Sequence, residues 1–178
     1  NREEPGQYLY WLWERGATLE AIHWYVEERK KYSDHAYMAS EYPSDDVEAR
    51  AAVFAAAEMD GPVYLRFGRL AVPVINDNPD YKFEIGKAVK LKEGTDITIF
   101  ANGVCVAEAL AAAEKLAADG INAEVINVHT VKPLDVDAVM ASAAKTGRVF
   151  TVEEHFIVGG LGSAVAETIT AAPVSVLD

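Results

Sequence analysis

Beyond residue 44 the apolar positions alternate between two periods. Val63–Phe67, Ala88–Leu91, Asp96–Ala101, Ala123–Asn127, Arg148–Val152 and Val174–Leu177 are short apolar runs rich in β-branched residues, and they predict strands. Between most of them, Val47–Met59, Val104–Ala118, Val136–Ala144 and Ser163–Thr170 carry apolar residues at helical spacing. Such alternation predicts an α/β fold, a mostly parallel sheet with flanking helices. Ser44, followed by Asp45-Asp46-Val47-Glu48, reads as an N-cap with acidic residues in the first turn, and Asp60-Gly61-Pro62 ends that helix. Residues 73–82, rich in proline and asparagine, read as a linker.

The first 41 residues follow a different pattern. All three tryptophans and most tyrosines fall there, among them Tyr8, Trp11, Trp13, Trp24 and Tyr25. Gly16 separates two helical patterns, and Thr18 can cap the second, in which Leu19, Ile22 and Val26 share a face. Residues 1–41 therefore predict an aromatic-rich helical hairpin that needs a surface to cover it.

Composition narrows the function classes. With 178 residues, 51% of them apolar and 25% charged, the chain suits a globular protein with a core of its own. Its net charge of −12 argues against nucleic acid and anionic membranes, whose phosphates require clustered Lys and Arg. The one cysteine, Cys105, excludes an intrachain disulfide and any CxxC metal site, and its neighbours Val104, Val106 and Ala107 suggest a small buried hydrophobe. With no apolar run of membrane-spanning length and no leader pattern, a cytoplasmic setting is expected.

Several separated motifs carry a resemblance. Pro43-Ser-Asp-Asp-Val-Glu-Ala49 and Asp60-Gly-Pro-Val-Tyr-Leu-Arg-Phe-Gly-Arg69 resemble the end of the pyrimidine-binding domain of transketolases, especially those built from two separate subunits. Glu84-Ile-Gly-Lys-Ala88, Gly94–Ile99, Asn127-Val-His-Thr-Val-Lys-Pro-Leu-Asp135 and Val152-Glu-Glu-His155 are similar to that family's C-terminal domain in order and spacing. The resemblance covers about residues 43–178 and implies a remnant of the pyrimidine-binding domain at 42–72 and a C-terminal-like α/β domain at 83–178. It implies ketol transfer between phosphorylated sugars, with thiamine diphosphate and Mg²⁺ held between other domains across a dimer interface.

The chain lacks the family's Gly-Asp-Gly…Asn motif for the diphosphate and metal, and the segment bearing the cofactor-activating glutamate. Neither Glu41 nor Glu48 takes that role. No cofactor is therefore expected for the isolated chain, which is expected to be inactive without a protein partner or an oligomer that completes the site.

Candidate substrate-binding residues follow from the resemblance and from residue chemistry. Arg69 aligns with the family's sugar-phosphate arginine, and its fork of donors suits a phosphate; Arg66 lies three residues before it. The bland reading pairs both with Asp60 or Glu58 at the surface. His155 follows Glu153-Glu154 at a strand's C-terminal end, where open α/β sheets place ligands; its alternative is a hydrogen-bonded histidine fixing the turn before Gly159. His23 and His35 read as packing residues, and His129 as the end of a strand. Gly159-Gly160-Leu161-Gly162 lacks the G-x-G-x-x-G spacing of a phosphate loop, because residue 165 is Val. Close helix–sheet packing is expected there instead.

Ala17–Tyr25, Lys31–Ala39 and Glu41–Ala49 resemble, over a shorter span, a segment of phage large terminase subunits beyond their ATPase motor, without its phosphate loop or nuclease carboxylates. Both resemblances run through Pro43–Ala49, which suggests a recombined, engineered or generated chain. Two readings result: a transketolase-like C-terminal fragment or subunit, or a non-catalytic chimeric interaction protein whose hairpin binds a partner.

Overall fold

The computed structural model describes residues 39–68 and 71–171. The expected hairpin (except its last three residues), Arg69, His23, His35 and the strand expected at Val174–Leu177 lie outside the described residues.

The principal sheet has four strands, β3 (Val89–Lys92), β4 (Ile97–Ala101), β5 (Ala123–Asn127) and β7 (Val149–Val152), in the order β3-β5-β4-β7. The β4–β5 and β4–β7 pairings are parallel, and β3 runs antiparallel to β5 with a register shift between Lys90 and Lys92. The sheet is thus mostly parallel, as the alternating pattern predicts. Gly94, between β3 and β4, must be glycine, since a Cβ there would overlap the backbone of Ala123 and Glu124. Helices α2 (Cys105–Ala118), α3 (Val136–Thr146) and α4 (Leu161–Ala171) flank it.

Strand alternation sorts the core into two layers. Ile99 and Ala101 of β4 and Ala123 and Val125 of β5 pack with Val106, Ala109 and Ala113 of α2. The intervening Phe100 and Ile126 point to the other face and meet Val139 of α3 and Leu161 and Val165 of α4. Alanines along α2 let the helix lie close to the sheet. Asp135 caps α3, accepting from Ala138 N at 3.1 Å, while its second oxygen takes Ala88 N at 3.0 Å. Gly147 closes α3 at φ 65°, a left-handed conformation suited to glycine.

A second, three-stranded sheet has the order β2-β1-β6, from β1 (Ala39–Glu41), β2 (Val63–Leu65) and β6 (Thr130–Lys132). Strand β1 is parallel to β2 and antiparallel to β6. The sequence pattern assigns Ala39–Glu41 to the hairpin and ends a strand at His129. Three-residue strands carry too little alternation to register, and only pairing with β2 and β6 defines them. Helix α1 (Asp46–Glu58) begins one residue before its expected start. Asp45 is the N-cap, accepting from Glu48 N at 2.8 Å, whereas the expected cap, Ser44, donates its N–H and hydroxyl to Glu48 Oε2 at 2.7 and 2.8 Å.

A buried polar seam joins α1 to the rest of the domain. Asp45 Oδ2 accepts from Ile75 N and Asn76 N, both at 2.7 Å. Glu48, fully buried, accepts from Tyr81 Oη at 2.5 Å and from Asn127 Nδ2 at 2.8 Å. Burial would raise the Asp45 carboxyl, but four hydrogen bonds from the Glu48, Asn76 and Ile75 backbones and the Asn76 side chain outweigh it and hold the group below the usual carboxylate range. Burial and the neighbouring Glu48 push the Tyr81 phenol up, so it stays a donor.

Candidate functional site

In an open α/β sheet, adjacent strands whose following helices leave to opposite faces open a crevice at their carboxyl ends. Here β4 and β7 are such a pair: α2 follows β4 onto one face, and α4 follows β7 onto the other. Asn102-Gly103 continues from β4 and Glu153-Glu154-His155 from β7. The carboxyl ends of β1 and β2 bring Tyr42 and Arg66 to the same place. Tyr42, Arg66, Asn102, Gly103 and Glu154 border a cleft of about 290 Å³, walled also by Phe67 and Val104. A shallower depression of about 410 Å³ lies beside it, lined by Tyr64, Arg66, Glu154, His155 and Phe156.

The local backbone fixes this mouth. Arg66 N donates to Glu41 O at 3.0 Å, Tyr42 N to His129 O at 2.7 Å and Gly103 N to Tyr42 O at 3.0 Å, tying the strand ends of both sheets together. Val104 caps α2 without a side-chain bond, and the first N–H groups of that helix, Cys105 N and Val106 N, donate to Asn102 O and Gly103 O, both at 3.2 Å. Burial, with Tyr64 next, pushes the Tyr42 phenol up, and it remains a neutral donor at physiological pH.

Two of the three predicted substrate-binding residues, Arg66 and His155, share the depression; Arg69 is outside the described residues. Arg66 does not turn to Asp60 or Glu58. Its Nη1 donates to the Glu154 carbonyl at 2.8 Å, and Nη2 lies 3.8 Å from the Glu154 carboxylate. Both side chains are over a third exposed, so this pair adds little stability and leaves the guanidinium available. His155 is exposed and donates from Nδ1 to the Phe156 carbonyl at 3.0 Å. It does not fix the glycine turn. There Gly159 N donates to Ser163 Oγ at 2.9 Å, and Ser163 Oγ to Ile157 O at 3.1 Å.

The glycines act through packing. Leu161 N and Gly162 N at the start of α4 donate to Glu153 at 2.8 and 3.0 Å, so the chain's own carboxylate occupies that helix N-terminus. A Cβ on Gly160 would lie 2.5 Å from both Glu153 oxygens, and only glycine leaves room for this cap. Cys105 is half-buried, and burial followed by repulsion from Glu154 pushes its thiol up, away from an activated nucleophile. His129 is fully buried, stacked on Phe83 at 4.3 Å, with Nδ1 3.1 Å from Glu41 Oε2.

Tyr42, Asn102 and Glu154, which line the cleft, were not legible from sequence. Their one signal is position, since each lies just beyond a strand's carboxyl end on the crevice side.

Among the described residues, no three His, Cys, Asp or Glu side chains could hold a metal ion. Glu48 is taken up by Ser44, Tyr81 and Asn127, and Glu41 Oε2 by Thr130 and His129, while Glu41 Oε1 is buried without a partner among the described residues. The described residues thus offer no ligand set for the cation of thiamine diphosphate.

Fold and crevice together define an α/β domain of the doubly wound kind, whose switch point lies between β4 and β7. The Transketolase, C-terminal domain family matches residues 86–177, and the chain belongs to that family. It is 53% identical over 128 residues to the 6-deoxy-6-sulfo-D-fructose transketolase subunit of Clostridium sp. (strain MSTE9), covering 71% of the chain and 39% of that protein. To an apulose-4-phosphate transketolase subunit of Phocaeicola vulgatus it is 44% identical over 134 residues, covering 75% of the chain and 43% of the relative. A split-gene transketolase solved as an inactive β4 tetramer superposes with a TM-score of 0.74 at 46% identity, over 78% of the chain and 46% of its own. The chain therefore spans about two-fifths of the length of these two curated relatives.

Proposed function

We propose that the chain is the C-terminal part of a split transketolase subunit, which works only when joined to a second, cofactor-bearing subunit. In that complex it serves ketol transfer between phosphorylated sugars. Its share is substrate binding: Arg66, with Arg69, meets the sugar phosphate through charged donors, and His155 contacts the substrate at the rim. Tyr42 is a neutral donor at the same mouth, suited to a hydroxyl or carbonyl oxygen. The observation that carries this reading is the placement of Arg66 at the switch-point crevice, in a chain whose relatives include transketolase subunits.

On this reading the isolated chain neither binds thiamine diphosphate nor turns over substrate. The test mixes it with the thiamine-diphosphate-binding subunit of a split-gene transketolase and Mg²⁺, and follows ketol transfer from a ketose phosphate. Activity should appear only in the mixture. Arg66→Met should raise KM for the phosphorylated sugar about tenfold or more, as expected for loss of a charge-assisted contact worth about 1.5–3 kcal/mol. Activity in the isolated chain, or an unchanged KM, would refute the assignment.

A further inference from the structure

Among the described residues, Arg66 and Glu154 are the two that line both the cleft of about 290 Å³ and the depression of about 410 Å³. Their pairing is the wall between the two spaces. Tyr42, Asn102 and Gly103 lie on one side of it, and Tyr64, His155 and Phe156 on the other. The wall is built to part. Of the two adjacent glutamates, Glu153 is fixed to α4 by two backbone N–H groups. The Glu154 carboxylate has Arg66 as its one partner among the described residues, at 3.8 Å, and is 63% exposed. An exposed pair at that distance is weak. On the cleft side Asn102, 4% exposed, keeps Nδ2 buried with no acceptor among the described residues. A buried donor left unpaired is costly, and an oxygen brought by a ligand would satisfy it.

We infer that Glu154 is a positioning residue that holds Arg66 in place of the ligand's anionic group, and that a phosphate displaces it and joins the two spaces into one. The inference rests on the reading above for the identity of that group. Arg66 Nη1 donates to the Glu154 carbonyl at 2.8 Å, so the guanidinium keeps its place when the carboxylate leaves. The Nη2 edge, which faces the carboxylate, is the one a phosphate takes. A phosphate dianion and the carboxylate repel each other, so they do not share that edge, and Glu154 swings to solvent. While the pair is closed, only a fraction of molecules offers a free guanidinium, and the apparent affinity for the anion falls by that fraction. A neutral sugar has no charge with which to displace a carboxylate from Arg66. The joined crevice therefore forms around charged ligands alone, and Glu154 sets which ligands find it open.

Titration of the full chain with inorganic phosphate, followed by calorimetry, needs neither cofactor nor second subunit. Glu154→Gln keeps the backbone carbonyl that anchors Arg66 and removes the competing charge. It should bind phosphate about threefold or more tightly than the parent, with an unchanged urea midpoint. Arg66→Met should bind phosphate about tenfold or more weakly than the parent. Were Glu154 only a support for the fold, Glu154→Gln would show the opposite sign, weaker phosphate binding and a lowered midpoint. That result overturns the inference, and so does equal affinity in the two proteins. Phosphate binding that Arg66→Met leaves intact overturns it too, as does a chain that takes up no phosphate in either form. If the mixture is active but Glu154→Gln binds phosphate no better than the parent, only this inference falls. If the titrations come out as expected but the chain never completes an active mixture, only the proposed function falls.

Discussion

Glu153 and Gly160 should be energetically coupled, because the space over Gly160 is the space the Glu153 carboxylate fills. Two charge-assisted bonds, at 2.8 and 3.0 Å, hold that carboxylate over the first turn of α4. Their loss in Glu153→Ala should cost about 2 kcal/mol, the upper range for a helix N-cap and within that for bonds to a charged acceptor. The cost reaches global stability because Leu161, which donates one bond, is fully buried in the α3–α4 core layer. Gly160→Ala creates a methyl 2.5 Å from both carboxylate oxygens, so the cap must leave, and the variant should lose about 1–2 kcal/mol. In the Glu153→Ala background the same methyl meets nothing that is still held in place. The backbone at Gly160 is not left-handed, so there the substitution should be neutral or stabilise by about 0.5 kcal/mol through the unfolded chain. Urea denaturation of the four proteins, followed by far-ultraviolet dichroism, should give a coupling above about 1 kcal/mol. Additivity within about 0.5 kcal/mol would refute the reasoning.

Two further outcomes rest on the principal sheet. Burial would raise the fully buried Glu124 carboxyl, but hydrogen bonds from Lys145 and Thr98 outweigh it and hold it low, so its contribution is complete above the unfolded carboxylate pKa and lost as pH falls through the folded one. Lys145→Met leaves burial dominant and reverses that sign: the variant should be about 2 kcal/mol less stable at neutral pH, with Lys90 3.6 Å away as a partial substitute, and the deficit should shrink on acidification, while a deficit constant from about pH 7 to 4 would count against it. Gly94→Ala should cost about 3 kcal/mol or more in the same urea assay, since a backbone has no rotamer with which to yield, and a midpoint shift below about 1 kcal/mol would show that β3 can move aside.

The principal sheet was legible because its elements are unmixed in period: Ile97, Ile99, Phe100 and Ala101, and Ala123, Val125 and Ile126, make compact runs rich in β-branched residues, and the Ala-rich pattern over 104–118 has a single period. The small sheet was not. Ala39–Glu41 and Thr130–Lys132 acquire their conformation from partners at least twenty residues away, which a local window does not sample. The site divides the same way. Arg66 and His155 announce themselves by residue type, whereas Glu154 as the arginine's partner lies 88 residues further on. Glu153 is read from sequence as one of an acidic pair, and its capping bonds appear only once α4 folds back beneath it. Asp45 displaced Ser44 as the cap because its second oxygen also serves Ile75 and Asn76, bonds no local pattern contains.

Those last bonds bear on how the chain could be divided. Pro73 and Val74 are exposed, while Ile75 and Asn76, just beyond them, are fastened to Asp45, and Tyr81 and Asn127 to Glu48. Parting the pieces on either side of Pro73 would strip two buried carboxylates of the donors that Ile75, Asn76, Tyr81 and Asn127 supply, leaving Asp45 only Glu48 N and Glu48 only Ser44. Covalent continuity at that point is therefore dispensable. A protease that nicks there should release nothing, and the two pieces made from separate messages should find each other and close around the same acids.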